Sequence, residues 1–408
     1  MTSLHISNCR IHNSDATSVS IENGVITALD SEAPASTDTI DAKGALLLPG
    51  LIDLYSKANH ISSEAKAAAH GGISMMCTSP DSKPMAEAPA DIKSILSASE
   101  KAGAAQVLPL GTLTSELKGE QLANMHGLIE AGCVALSNGR APIKNSLVMR
   151  RLMEYAATHN ITVFLTPQDQ ALAANGLMHE GPTATRLGLA GIPETAETIA
   201  LSQQILLAEL TGCKVHVSHI SCARSVDMIR DAKQRAINIS ADVAIANLLY
   251  TDQAVNGYNS CYFVEPPLRS EQDRQALLAG VKEGLLAISS NHKAHQQADK
   301  KATFADAETG MSILDTFLPM LMLLQDEGIT VTELLNAVTA LPAQILNLET
   351  GIAIGKPANL VLFNSEDKQS CSEQDFLSCG SNSPVLNQSI KGKVLLTVSN
   401  GTIAYQQD

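Results

Sequence analysis

Short apolar runs alternate with amphipathic stretches through most of the chain, from about residue 48 to residue 349. A short apolar run bounded by turn residues is typical of a buried strand, whereas apolar residues three or four positions apart predict a helix. Strands are predicted within 49–57 and at 73–77, 106–110, 134–137, 161–165, 214–219, 237–241 and 285–289. Helices are predicted at 91–102, 147–159, 194–211, 223–236 and 269–283, the last with a cap at Ser270. This alternation predicts an α/β fold, a (β/α)₈ TIM barrel.

The two ends of the chain have a different pattern, with short strands separated by tight turns. Strands are predicted at 4–6, 19–21 and 25–29, and again at 359–363 and 393–398, with turns at 22–24 and 399–402. We therefore predict a small composite β-sandwich domain built from 1–47 and 353–408, with the barrel, 48–352, inserted between its halves. The polar stretch 366–383 is interpreted as a loop on this small domain.

Composition and charge narrow the classes of function. With 45% hydrophobic and 17% charged residues the chain has an ordinary globular composition, and its formal net charge is −14. An acidic surface disfavours nucleic acid and anionic membranes as partners. The apolar run 317–324 is too short for a membrane span and contains Pro319. No export signal is visible and the eight cysteines include no Cys-x-x-Cys pair, so we expect reduced thiols and a cytoplasmic location.

Polar residues follow several predicted barrel strands, where an α/β barrel places its catalytic groups. The segment 49–57, Pro-Gly-Leu-Ile-Asp-Leu-Tyr-Ser-Lys, ends in Lys57, which could serve as a Schiff-base lysine, while Asp53 is expected to anchor the strand. Asp169, Asp242 and Glu265 are interpreted as solvated or paired carboxylates.

Four of the histidines are candidates for a metal site. His216 and His219 are three apart on a predicted strand and are expected to point to opposite faces. His292 and His295 lie at another strand end and could converge. We interpret all four as structural or vestigial, because metal ligands need convergent geometry.

Several segments resemble, in order, those of dihydroorotases in the cyclic amidohydrolase family. They are 49–57, 71–74 (Gly-Gly-Ile-Ser), 79–84 (Ser-Pro-Asp-Ser-Lys-Pro), 191–197 (Gly-Ile-Pro-Glu-Thr-Ala-Glu), 216–221 (His-Val-Ser-His-Ile-Ser), 266–273 (Pro-Pro-Leu-Arg-Ser-Glu-Gln-Asp), 339–343 (Thr-Ala-Leu-Pro-Ala) and 355–361 (Gly-Lys-Pro-Ala-Asn-Leu-Val). The resemblance implies an amidohydrolase-like barrel that hydrolyses a cyclic amide with metal-bound hydroxide.

The residues that this chemistry requires are mostly replaced. The resemblance aligns metal-binding histidines with Tyr55 and Lys57, a metal-ligand region with Asn138, a further histidine with Thr166, and the catalytic aspartate with Asn291. Substrate-binding positions align with Asn59 and Glu265, while His219 is retained and His292 and His295 match family histidines. The resemblance therefore predicts that the zinc site is lost and that no cofactor is bound.

Taken together, these replacements resemble the inactive dihydroorotase that partners aspartate carbamoyltransferase. The resemblance implies a non-catalytic, structural or regulatory subunit of that enzyme in de novo pyrimidine (UMP) biosynthesis, with a homodimer inside a larger complex. Three alternatives remain: an active metal-dependent cyclic amidase with a relocated site, a metal-free enzyme that uses Lys57, and a ligand-binding sensor.

Overall fold

The computed structural model describes residues 3–33 and 37–407, so positions 1, 2, 34–36 and 408 of the predicted small domain lie outside the described residues. Six strands precede the barrel: β1 (Ser3–Ser7), β2 (Arg10–Ile11), β3 (Val19–Glu22), β4 (Val25–Leu29), β5 (Asp38–Asp41) and β6 (Leu46–Pro49). Four of them form a sheet in the order β4-β3-β1-β5. Asn23 and Gly24 both have positive φ, 52° and 83°, as expected for a two-residue hairpin turn.

The barrel strands follow in sequence. They are β7 (Leu51–Lys57), β8 (Ile73–Thr78), β9 (Gln106–Thr112), β10 (Ala135–Ser137), β11 (Thr162–Leu165), β14 (Lys214–Val217), β15 (Ile239–Ala244), β16 (Leu286–Ser289) and β17 (His292–Lys293), while β12 (Met178–His179) and β13 (Gly191–Ile192) pair separately. The sheet order is β16-β15-β14-β11-β10-β9-β8-β7-β17. Because β16 and β17 are successive segments of one stretch, the pairing of β17 with β7 curls the sheet back on itself. The predicted barrel is confirmed.

Helices cover the outside of the barrel. They are α1 (Ile61–His70), α2 (Pro89–Ala102), α3 (Met125–Glu130), α4 (Ser146–Thr158), α5 (Gln170–Ala173), α6 (Pro182–Leu187), α7 (Glu194–Thr211), α8 (Ala223–Gln234), α9 (Ile245–Leu249), α10 (Glu271–Lys282), α11 (Phe317–Met322), α12 (Val331–Val338) and α13 (Ala340–Leu346), with short 3₁₀ turns between some of them. The Ser270 cap is present, and its side chain accepts a hydrogen bond from the Asp273 amide. In the described part of the chain, no helix is long and apolar enough to cross a membrane.

The chain ends in β18 (Leu360–Ser370), β19 (Ser389–Ser399) and β20 (Thr402–Gln406), which complete a second sheet in the order β2-β6-β18-β19-β20. Apolar side chains of this sheet and of the first one share a buried core, which gives the sandwich expected from both ends of the chain. The prediction that 366–383 is a loop on the small domain was wrong in two respects. Its first residues extend β18, and its last part packs back on the barrel, where Asn382 donates to the Gly310 carbonyl at 3.0 Å.

The barrel core has two layers, and this arrangement positions the site. Alternate strand side chains, such as Ile52, Leu54 and Phe164, fill the interior, while their neighbours pack under the helices. Since the strands are parallel, their carboxyl ends meet at one mouth, so the polar residues that follow them are brought together.

Candidate functional site

Two side chains at the end of β7 stand at the mouth of the barrel. The Tyr55 ring is buried, meets the His219 ring edge-on with centroids 4.7 Å apart, and has its hydroxyl 3.0 Å from Ser79 Oγ. Burial raises the pKa of Tyr55 to about 12, so the phenol is neutral. Tyr55 is therefore a packing residue with a hydrogen-bonded hydroxyl.

Lys57, the last residue of β7, forms an ion pair with the loop after β8. Its Nζ donates to Asp81 Oδ2 at 2.6 Å, and the Ser79 hydroxyl donates to the other oxygen of the same carboxylate. Burial alone would raise the pKa of Asp81, but the hydrogen bonds from Lys57 and Ser79 outweigh it and lower that pKa below its usual value. The ammonium thus has a fixed counter-ion.

Arg140 reaches into the mouth from the loop after β10. Its Nη2 donates to the Glu265 carbonyl and, at 3.2 Å, to Asn291 Oδ1, while its Nε lies 3.9 Å from Glu265 Oε2. The Asn291 amide donates to the same carbonyl at 2.9 Å. Asn291 and Glu265 are therefore joined through the guanidinium.

A third cation, Lys293, completes the group. Its Nζ donates to Thr309 Oγ1 at 3.0 Å and lies 3.7 Å from the exposed Glu308 carboxylate. Burial, together with the positive charge of Lys57, lowers the pKa of Lys293. These side chains surround a cavity of about 50 Å³, lined by Tyr55, Lys57, Asp81, Arg140, Glu265, Asn291, Lys293, Thr309 and Gly310. We call the five ion-paired side chains that line this cavity the charged plug: Lys57, Asp81, Arg140, Glu265 and Lys293.

The prediction that His216 and His219 point to opposite faces was wrong. Both rings bind one buried carboxylate: His216 Nε2 lies 3.0 Å from Asp242 Oδ2, and His219 Nδ1 lies 2.8 Å from Oδ1. The strand rule fails because β14 ends at Val217 and His219 has a φ of +60°. Burial would raise the pKa of Asp242, but the charges and hydrogen bonds of the two histidines lower it. His219 Nε2 is buried and has no hydrogen-bond partner among the described residues.

Asn138 and Thr166 form hydrogen bonds with the loops at the mouth of the barrel. The Asn138 amide accepts from Thr114 Oγ1 at 2.6 Å and donates to the Ala141 carbonyl at 3.0 Å, and Thr166 donates to the Gly139 carbonyl at 3.1 Å. Both residues line a second, larger cleft of about 690 Å³, which opens beside α4, α5 and α7. Asp169 accepts the first amides of α5 and so acts as a helix cap.

The remaining predicted site residues do not join the cavity. His292 and His295 do not converge: His292 Nε2 binds Glu64 at 2.9 Å and its Nδ1 accepts from the Ile313 amide, whereas His295 Nε2 lies 2.8 Å from the Thr309 carbonyl. Asn59 lies in the turn before α1, outside the residues that line the cavity.

Asp53 anchors the strand, as expected. It is fully buried and accepts from the backbone amide and the hydroxyl of Ser290, at 2.7 and 2.6 Å. Burial raises the pKa of Asp53 to about 7. This contact fixes β7 to the turn between β16 and β17.

The sequence patterns predict no role for three residues of the charged plug, Asp81, Arg140 and Lys293. A usable signal was present, because Arg140 and Lys293 follow predicted strands at the positions where barrels place functional groups. The sequence does not show that these side chains form ion pairs and hydrogen bonds with residues of other loops across the mouth.

The donors at these positions do not fit the zinc implied by the resemblance. Zinc takes imidazole, thiolate or carboxylate ligands, whereas the positions that the resemblance aligns with ligands present a neutral phenol at Tyr55, a paired ammonium at Lys57 and an amide at Asn138. Positive charge from Lys57, Arg140 and Lys293 also opposes a divalent cation. Among residues 3–33 and 37–407, no three His, Cys, Asp or Glu side chains come together as a potential metal site.

Comparison with known proteins gives the family. A model described as dihydro-orotase-like matches residues 44–225. A dihydroorotase-like protein of Pseudomonas aeruginosa is 40% identical over 400 residues, covering 95% of this chain and 94% of that protein. The chain belongs to the dihydroorotase-like family. A protein named dihydroorotase from Desulforapulum autotrophicum is 36% identical over 402 residues, with 95% and 94% covered.

The fold of this dihydroorotase-like chain is similar to that of several solved structures. One of them is an L-hydantoinase (dihydropyrimidinase) from Arthrobacter aurescens. It superposes with a TM-score of 0.84 at 22% identity, covering 100% of this chain and 96% of that one. The amidohydrolase-like barrel with its appended β domain is thus the shared fold.

Proposed function

We propose that this chain is a non-catalytic dihydroorotase homologue that serves as a structural or regulatory subunit of aspartate carbamoyltransferase in pyrimidine biosynthesis in the cytoplasm. The observation that carries the proposal is the 2.6 Å ion pair between Lys57 and Asp81. In the dihydroorotases that the chain resembles, positions 55 and 57 are metal-binding histidines. Here an ammonium with its own counter-ion takes that place.

The position of the catalytic aspartate supports the same conclusion. Asn291 is an amide, which cannot take up a proton at neutral pH, and it is held by Arg140 and the Glu265 carbonyl. The two carboxylates that line the cavity with Asn291, those of Asp81 and Glu265, both lie beside cations. No zinc is required for this role, and no cofactor is proposed.

A barrel that keeps its strands and core while its mouth is filled acts through its surface. The proposed partners are aspartate carbamoyltransferase chains, with this chain as a homo-oligomer within the complex. The two Pseudomonas relatives, 40% and 38% identical, are named dihydroorotase-like proteins.

One rival has a specific observation in its favour. An active cyclic amidase with a relocated metal could use the free Nε2 of His219, and relatives at 34–36% identity are named dihydroorotase. Metal analysis of the purified chain, together with a dihydroorotate hydrolysis assay, separates the two. We expect zinc far below one per chain and no turnover; stoichiometric zinc with turnover would contradict the proposal.

A second experiment tests the partner. The tagged chain is co-expressed with aspartate carbamoyltransferase from the same source, and the complex is isolated and assayed with and without this chain. We expect co-purification and a loss of carbamoyltransferase activity when this chain is removed. Carbamoyltransferase that is fully active and never associates would favour the sensor alternative.

A further inference from the structure

A further cavity lies at the end of the barrel opposite the mouth, where the strands begin. It has a volume of about 220 Å³ and is bounded by the first residues of β11, β14, β15 and β16 and by α13, whose apolar side chains pack into the barrel interior. Thr162, Lys214 and Ser240 line it from the strands, and Lys233 lines it from the last turn of α8. We call this space the floor cavity.

The geometry of β14 places Lys214 on the inner face of the barrel. Side chains two positions apart on a strand share a face, and His216 packs against the Phe164 ring inside the barrel, with ring centroids 4.4 Å apart. Lys214 and Thr162, which are paired in register, therefore form a lower layer on the same face. A half-buried lysine thus stands where the other inward strand residues of the barrel are mostly apolar.

The floor cavity is lined by two cations and by no carboxylate. Neither Lys214 nor Lys233 forms an ion pair or a side-chain hydrogen bond within residues 3–33 and 37–407, and no Asp or Glu lines the cavity. Desolvation lowers the pKa of Lys233, with no carboxylate to oppose it. The position of Lys233 at the end of a helix accounts for one cation, but not for Lys214. In a chain with a net charge of −14, this cavity concentrates positive potential.

Neutral hydrogen-bond donors surround the two cations. Six polar side chains that line the floor cavity have no hydrogen-bond partner in the described part of the chain: Thr162, Lys214, Lys233, Asn238, Gln344 and Asn347. Hydroxyl and carboxamide groups donate to phosphate oxygens as readily as ammonium groups do. The last carbonyls of α13, which would repel an anion, are occupied, since the Ala343 carbonyl accepts from the Leu348 amide at 2.8 Å.

Ser240 connects the floor cavity with the mouth of the barrel. Its Oγ lies 2.9 Å from His216 Nδ1, and His216 and His219 both bind the Asp242 carboxylate. A continuous chain of hydrogen bonds therefore runs inside the barrel from the floor cavity to His219. A ligand that contacts Ser240 would act on the same buried group of side chains that lies beneath Tyr55.

We propose that the floor cavity binds a phosphate monoester of a small metabolite. Two ammonium groups match the two negative charges of a phosphate group, which lysine binds as a point charge. The volume exceeds what phosphate alone needs and is below the roughly 300–1,000 Å³ of pockets for drug-sized ligands, while Leu341 and Ile345 offer an apolar wall to a short organic part. This site is independent of the role proposed above, since it uses no residue of the charged plug.

Binding is tested by isothermal titration calorimetry of the full chain in phosphate-free buffer at constant ionic strength. Glycerol 3-phosphate is the monoester probe, inorganic phosphate represents the free ion, and malonate is a dianion without phosphorus. We expect saturable binding of glycerol 3-phosphate, weaker binding of inorganic phosphate and no binding of malonate. Absence of binding overturns the proposal. Inorganic phosphate or malonate that binds as tightly as the monoester also overturns it, because the site would then select a free ion or any anion.

Variants locate the site. Lys214→Met and Lys233→Met should each weaken binding of glycerol 3-phosphate by about 10-fold or more, since each removes a charge-assisted hydrogen bond. Lys93→Met is the control, because Lys93 is an exposed lysine on α2 that also has no partner in the described chain. It should leave the affinity unchanged.

An exposed position at the rim gives a second test that does not depend on how the strand variant folds. Gln344→Glu adds a carboxylate beside the two lysines and should weaken binding several-fold, whereas Gln344→Lys should strengthen it. Thermal melts of all variants establish that they fold. Binding that none of the changes at Lys214, Lys233 and Gln344 alters would place the ligand elsewhere and contradict the proposal.

Discussion

The ammonium of Lys57 lies 2.6 Å from the carboxylate of Asp81, and both side chains are only about a quarter exposed, at 25% and 28%. The pair joins the end of β7 to the loop after β8 at the mouth of the barrel. It is therefore shielded from water more than a surface pair and less than a core pair.

We expect this pair to contribute measurably to stability. A double-mutant cycle with Lys57→Met and Asp81→Asn should give a coupling of about 1–2 kcal/mol in urea unfolding, between the values of exposed and buried pairs. Lys118 and Glu116 are the control, since their atoms are also 2.6 Å apart but the side chains are 61% and 65% exposed. That pair should show no measurable coupling, and equal coupling in the two pairs would contradict the interpretation.

Acid should destabilise the protein through Glu64. Burial alone would raise its pKa, but hydrogen bonds from His292 and the Cys379 amide lower it from 4.5 to about 2. A carboxyl with a depressed folded pKa stabilises the fold above its unfolded pKa, and this contribution is lost as pH falls from about 4.5 toward 2. Glu64→Gln should therefore lower the free energy of unfolding at pH 7, on the order of 2 kcal/mol, and the difference from the parent should shrink below pH 4.5.

The control for Glu64 is Glu130→Gln, at an exposed carboxylate beside His126. Urea unfolding at several pH values should show the parent's pH dependence for Glu130→Gln and a flatter one for Glu64→Gln. A constant difference between the parent and Glu64→Gln from pH 7 to pH 3 would show that the pKa is not depressed.

Gly71 should not tolerate a side chain. An added Cβ would lie 1.7 Å from the Leu314 carbonyl oxygen, so backbone must move, and Gly71→Ala should cost about 3 kcal/mol or more. Gly212 has a positive φ of 69° but open space around it, so Gly212→Ala should cost only about 1 kcal/mol from backbone strain. Thermal unfolding of the two variants distinguishes a steric cost from a conformational one, and similar losses would contradict this reasoning.

Arg140 should stabilise the contact between the segment that contains Glu265 and the turn that contains Asn291. Arg140→Met removes charge-assisted hydrogen bonds to the Glu265 carbonyl and to Asn291, so we expect a loss of roughly 1–3 kcal/mol. Amide hydrogen exchange should accelerate around 263–268 and 290–292. The control is Arg150→Met, at an exposed pair with Glu154 on α4, which should change neither the stability nor the exchange rates. Unchanged amide exchange in Arg140→Met would show that the guanidinium does not hold these two segments in place.

The periodic parts of the structure could be predicted from the sequence, and the local exceptions could not. Helix α7 begins and ends at the predicted residues, because its apolar spacing and the Gly212 cap are both local signals. His219 was misplaced because its direction depends on a positive φ just after β14, which no pattern of strand residues indicates.

The ion pairs across the mouth of the barrel could not be predicted from the sequence either. Replacement of the expected ligands at Tyr55 and Lys57, and of the catalytic aspartate at Asn291, can be predicted from the chain itself, since it needs only alignment of motifs. The partners of these residues, Asp81 and Arg140, lie on other loops, and their pairing depends on how far each side chain reaches. The contact of the end of the loop 366–383 with the barrel could not be predicted for a similar reason, because polar composition does not say which surface a loop covers.

The charged plug has an evolutionary consequence. Replacing Lys57 alone by histidine would strip Asp81 of its ammonium, and Arg140 and Lys293 would still direct positive charge at the cavity. Reversal at position 57 thus loses an existing ion pair before any new bond to a metal can form. A zinc site at these positions would therefore require changes at the cations as well as at the ligand positions.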